Sequence, residues 1–121
     1  MKHSMKLFEI PFNRISSGKK TIEVRLFDEK RQKLNIGDII IFSKLPDLKD
    51  KIKVEIVALL RYKSFRDLVT DFGVECFGYP KDYLIEDFLN SCYKIYSKEK
   101  EPQYGVLGIK IRLLDNAQDQ S

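Results

Sequence analysis

Lys20, Glu23 and Arg25 place two cations and one carboxylate within the six residues KTIEVR. Side chains alternate along a strand, so Glu23 and Arg25 would project from one face, about 7 Å apart. Lys20 falls at the corner before the strand, where alternation does not bind it. An arginine here can grip a phosphate or carboxylate bidentately. A lysine can be a point cation or, once desolvated, a base. A glutamate can accept hydrogen bonds from the exocyclic amine of a cytosine-type ring. The trio therefore reads as an anion or nucleobase site. The same residues also fit a solvated strand face, whose ion pairs are worth about 0–1 kcal/mol each.

Other chemistry-bearing residues are sparse. Lys30, Arg31 and Lys33 make a basic loop after the strand, suited to ordinary surface charge or to phosphate contacts. Six tyrosines and eight phenylalanines are present. Most fit a core. Tyr62, between Arg61 and Lys63, is the best base-stacking cluster. The single histidine, His3, lies near the start, so a zinc site lacks ligands and no metal is expected. Cys76 and Cys92 lack CxxC spacing and read as a reduced pair. There is no GxGxxG, Walker or GxSxG motif, so no cofactor is expected.

The elements that must position these residues follow from pattern. Residues 3–7 alternate weakly, as a short first strand. Phe8, Phe12 and Ile15 have helical spacing, Pro11 suits a first turn and Gly18 a stop, which predicts a helix at about 11–17. Residues 20–27 alternate cleanly, with Ile22, Val24 and Leu26 on one face. Residues 39–43 form a β-branched apolar strand, 45–51 a loop, and 51–60 a strand with Ile52, Val54, Ile56 and Ala58 on one side. Ser64 and Asp67 open a helix over Phe65–Phe72, in a capping-box-like pattern. Gly78-Tyr79-Pro80 breaks the chain. A helix follows over about 81–97, with Leu84, Ile85, Phe88, Leu89, Cys92 and Tyr96 as its stripe. Residues 106–114 close as a strand, and 115–121 read as a disordered tail. The expected order is strand, helix, three strands, two helices, strand. This is an α+β pattern: a small barrel of five to six mixed or antiparallel strands with two to three covering helices, in one domain over 1–114.

Charge adds a division. The net +4 of the 121 residues splits into 16 basic and 8 acidic side chains in 1–66, against 6 and 10 in 67–121. A basic half suits a polyanionic partner, while an acidic half disfavours a uniform phosphate coat. A cleft between the halves would be of mixed charge. No apolar run reaches the ~20 residues of a membrane span, and no signal-peptide core is present, so no membrane partner and a cytoplasmic location are expected.

Pro11-Phe12, Ile15, the string Gly18-Lys19-Lys20-Thr21-Ile22-Glu23-Val24-Arg25 and then Gly37-Asp38-Ile39-Ile40-Ile41-Phe42 resemble the ASCH domain, a family of the PUA-like superfamily of small β-barrels. Met5, Leu7, the YKSF of 62–65 and the YGVLGIKI of 104–111 extend the resemblance to about 5–113. The resemblance implies RNA or a nucleoside or nucleotide bound in a cleft between barrel and helices. Tyr104, Thr21, Arg25, Lys30 and Arg31 are then candidate ligand contacts. Some members are amidohydrolases of N4-acetylcytidine, and ribonuclease activity is reported in the family. For such a hydrolase Lys20, Glu23 and Glu75 are the catalytic candidates. Glu23 stands where the amidohydrolase branch carries a catalytic threonine, so hydrolysis here would need Glu23 or Glu75 as general base. A third reading is a protein-interaction module that uses the acidic helix around Asp82, Glu86 and Asp87.

Overall fold

A computed structural model describes residues 1–114; the expected tail of 115–121 lies outside them. Five strands form one sheet: β1 (Lys2–Leu7), β2 (Ile22–Leu26), β3 (Ile39–Lys44), β4 (Lys51–Tyr62) and β5 (Val106–Leu113). Their order is β1-β3-β4-β5-β2. β1 and β3 are parallel, and the other pairs are antiparallel. The sheet curls until its two edges meet, with the Arg25 side chain of β2 donating to the Lys6 carbonyl of β1 at 3.0 Å. The fold is α+β, as its pattern implies. No helix among the described residues is long and apolar enough to cross a membrane.

The helices are α1 (Glu9–Ser16), α2 (Phe65–Phe72), α3 (Ile85–Ile95) and the short α4 (Lys100–Tyr104). α1 begins two residues before Pro11, which sits in the first turn where its missing N–H costs nothing. It buries Phe12 and Ile15. α2 starts as its residues dictate, with the Ser64 hydroxyl accepting from the Asp67 amide at 3.1 Å. α3 is shorter than the expected 81–97. Pro80 and the turn closed by Tyr83 N–H to the Pro80 carbonyl occupy the first residues, and Leu84 is 65% exposed rather than part of the stripe. α4 takes the stretch that reads as a connection, because Pro102 is tolerated in a first turn.

Two apolar clusters hold the sheet. One, around Ile40, Phe42, Val54 and Ile56, fills the concave side under α1. The other, around Phe65, Leu68, Phe77 and Phe88, joins α2 and α3 to β2. β4 serves both. A bulge between Ile56 and Ala58 slips its register. Past it Leu59, not Ala58, packs with the cluster of Ile56, so strict alternation across the whole strand fails there.

Candidate functional site

β2 is an edge strand, yet neither of its faces is solvated. Glu23 is 4% exposed. Its Oε1 lies 2.8 Å from the Lys20 ammonium, and its Oε2 takes both Nε and Nη2 of Arg25 at 2.8 Å. The surface ion-pair reading therefore gives way to a buried three-group cluster.

Local folding sets each member. Lys20 leaves α1 by a turn in which its amide donates to the Arg14 carbonyl at 2.9 Å. It then forms an isolated β-bridge to Phe77, and the Thr21 amide donates to the Cys76 carbonyl at 2.9 Å. Gly78 makes this junction possible. Its φ is +91°, and a Cβ there would meet Arg14 Cδ at 2.8 Å and Lys20 Cβ at 3.1 Å. Arg25 is held by Glu23 and by the Lys6 carbonyl, beside Tyr96, whose hydroxyl donates to the Val24 carbonyl at 3.4 Å.

Burial alone would raise the Glu23 pKa. The charges and hydrogen bonds of Lys20 and Arg25 overrule it and bring the carboxyl down to about 2. Burial works against the Arg25 cation as well, but Glu23 outweighs it and the pKa rises. Cys92, on α3, is pushed up to about 12 by burial and stays a thiol. It and Cys76 are separate free cysteines.

The cluster floors a cavity of about 230 Å³. Phe77, Tyr79, Phe88, Cys92 and Tyr96 form its walls, and Phe8, Ile10 and Ile95 its apolar mouth. Phe8 is 60% exposed and stacks on no other ring among the described residues. Lys6 and Arg14 add two more cations to the lining. The Arg14 guanidinium sits 4.5 Å from the Tyr79 ring centre, and that ring stacks on Tyr83 at 4.3 Å. Four cations against one carboxylate give the lining a formal charge of +3. The expected mixed charge between the halves is thus corrected. The acidic half supplies α3 through its apolar and neutral side chains, while its carboxylates lie elsewhere. Glu86, for one, pairs with Arg66 at 2.7 Å.

The remaining candidates scatter. Thr21 is exposed, its hydroxyl 3.5 Å from the Cys76 carbonyl. Glu75 is exposed in the 3₁₀ turn Val74–Cys76 and does not line the cavity. Tyr104 lines a different, open groove with Arg61, Tyr62 and Lys63. Lys30 and Arg31 stand outside the cavity on the far side of Arg25, with Lys30 Nζ 3.2 Å from the Ser4 carbonyl and Arg31 3.3 Å from Asp28. Sequence reasoning missed Lys6, Arg14, Gly78, Tyr79 and Tyr96 as parts of the site. Gly78-Tyr79-Pro80 read only as a breaker, and Tyr96 only as stripe. The signal available was the glycine, which a close backbone approach requires.

The arrangement presents donors. Both Glu23 oxygens are occupied, whereas the Lys20 ammonium and the outer edge of the Arg25 guanidinium have protons to spare. A carboxyl near 2 is a weak general base, and no described cavity hydroxyl is paired with a base: Ser91 donates to the Asp87 carbonyl at 3.1 Å. No group of three or more His, Cys, Asp or Glu converges on a metal position among the described residues.

Comparison with known proteins places the chain. It is similar to the crystal structure of a hypothetical protein, PH0355, at 37% identity and a TM-score of 0.83, over 94% of this chain and 100% of that one. It is also similar to protein PF0455 from Pyrococcus furiosus, solved in solution, at 36% identity and a TM-score of 0.76, over 95% and 99% of the two chains. An ASCH protein from Zymomonas mobilis shares the fold at 19% identity, with a TM-score of 0.60, over 90% of this chain and 65% of that one. No curated protein matches. The ASCH domain model matches residues 5–115, and the chain belongs to the ASCH domain family.

Proposed function

We propose that this protein binds RNA or a nucleotide, with one base seated in the cavity over Lys20, Glu23 and Arg25. The observation that carries this is the buried carboxylate spent on orienting two cations toward a small, aromatic-walled, positively charged hollow. A hollow of about 230 Å³ suits a single base rather than a run of them. Lys20 and Arg25 offer donors to ring carbonyls and to phosphate oxygens. Phe8 offers an unspent ring at the mouth, where base stacking is worth about 1–3 kcal/mol.

Binding is favoured over hydrolysis of an N4-acylated cytidine or another amide. Glu23 is held ionised by two cations and is a weak base, Glu75 lies outside the hollow, and Cys92 is protonated. It is favoured over a protein-docking role for α3 because Glu86 already pairs with Arg66. Titration with nucleosides, nucleotides and short single-stranded RNAs tests the reading. Binding that weakens with salt and is lost in Arg25→Ala supports it. No binding at low salt, or Arg25→Ala binding as the wild type does, refutes it. Turnover of N4-acetylcytidine that Lys20→Ala abolishes would install the hydrolase reading instead.

A further inference from the structure

Arg25 belongs to two places at once. Its guanidinium floors the cavity, and its Nη2 also donates to the Lys6 carbonyl at 3.0 Å. Lys30 Nζ reaches the Ser4 carbonyl at 3.2 Å. Ser4 and Lys6 are alternate residues of β1, so the two anchor points lie about 6.6 Å apart along the strand. β1 and β2 are the two edges of the curled sheet. The seam between them is therefore closed by cations from β2 and its following turn, resting on the carbonyls of β1.

Further charge of the same sign gathers there. Lys6 lines the cavity mouth, and its ammonium has no partner among the described residues. Arg31 is paired along one edge to Asp28 at 3.3 Å, while its Nε is buried without a hydrogen-bond partner. Loss of water, and then the nearness of Arg31, Arg25 and Lys6, hold Lys30 below the usual lysine value, with Asp28 alone opposing them. Glu23 is already committed to Lys20 and Arg25. Lys6, Arg25, Lys30 and Arg31 thus outnumber the two carboxylates within reach, Glu23 and Asp28; the excess cations repel one another, and a row of phosphates would relieve that repulsion.

We propose that the β1–β2 seam, from Lys6 and Arg25 out to Lys30 and Arg31, is a phosphate track for a single-stranded polynucleotide whose base enters the adjoining cavity. This rests on the base-binding reading above and deepens it: the natural ligand is a strand, and a free nucleoside fills only the cavity.

The test compares a nucleoside, its 5′-monophosphate and an eight-nucleotide single strand, titrated into the full chain at 50 and 200 mM salt. Each single-strand phosphate contact contributes a slope of about 0.7 in log K against log salt, which is about 8-fold in affinity at 50 mM and about 3-fold at 200 mM. Lys30→Gln is expected to weaken the octamer by those factors and to lower its slope by about 0.7, with nucleoside affinity unchanged. Lys33→Gln removes the same charge from the same exposed turn, away from the seam contacts, and is expected to change the octamer less. Thermal melting confirms that both variants fold, and Lys30→Arg is expected to restore the slope. A DNA octamer of the same sequence tells which polymer supplies the phosphates. Equal affinity for octamer and nucleoside, or a slope untouched by Lys30→Gln, overturns the track while leaving the base site standing. No binding of any of the three overturns both.

Discussion

Replacing Glu23 by glutamine tests the logic of the site most directly. In the unfolded chain this carboxyl titrates near 4.5, and in the folded protein at about 2. The folded value is depressed, so the stabilisation is present above 4.5 and is lost as pH falls through 2. At neutral pH the gap corresponds to about 3 kcal/mol, of which about 1 kcal/mol remains at pH 3. Glu23→Gln removes the charge, keeps the shape, and leaves Lys20 and Arg25, with side chains only 12% and 13% exposed, facing each other. Breaking a buried pair costs about 3–5 kcal/mol. The variant is therefore expected to be about 3 kcal/mol or more less stable at pH 7, and the gap to wild type should narrow by about 2 kcal/mol at pH 3. Urea unfolding followed by far-ultraviolet circular dichroism measures both, which suits a chain without tryptophan. Acid effects from the other carboxylates cancel in the difference between the two proteins. A gap under 1 kcal/mol at pH 7, or one that is the same at both pH values, would refute the idea that Glu23 is a structural counter-ion for two cations.

Two further predictions follow from the same geometry. Gly78→Ala and Gly18→Ala both place a side chain at positive φ, a strain of about 1–3 kcal/mol, but only Gly78→Ala also drives a methyl into Arg14 and Lys20; melting should fall in both, and RNA binding in Gly78→Ala alone. Phe8→Ala is expected to weaken single-strand binding by about 1–3 kcal/mol while melting within a few degrees of wild type, because the ring is 60% exposed; a large fall in melting temperature with unchanged affinity would assign Phe8 to the core instead.

Most strands and helices were legible because their signals are local. A period-two run marks β2, a β-branched apolar run marks β3, the Ser64 cap marks α2, and the spacing of Phe12 and Ile15 marks α1. What failed was non-local. The β4 bulge answers to pairing with β5, which no pattern within 51–60 reports. The first residues of the expected third helix went to a turn because Pro80 starts one. Glu75 and Tyr104 were drawn in by resemblance, and proximity in space did not follow: one faces solvent on a turn, and the other lines a different groove.

The cavity divides in the same way. Lys20, Glu23 and Arg25 could be picked from six residues of sequence, since strand alternation alone puts Glu23 and Arg25 on one face. Whether that face would be solvated or buried was undecidable from periodicity, because α3, the 77–79 segment and the end of β1 arrive from distant parts of the chain to cover it. That covering turns a pair worth little in water into a carboxylate held at about 2. The charge of the hollow was decided by the same packing. Composition put the acidic half opposite the basic one, but α3 turns Phe88 and Cys92 inward, Tyr96 follows them from just past its end, and the α3 carboxylates stay outside. The types and spacing of the chemical groups were thus determined by the sequence itself, and only the tertiary structure decided their burial, because the dielectric around a charge is set by neighbours that the local chain does not contain.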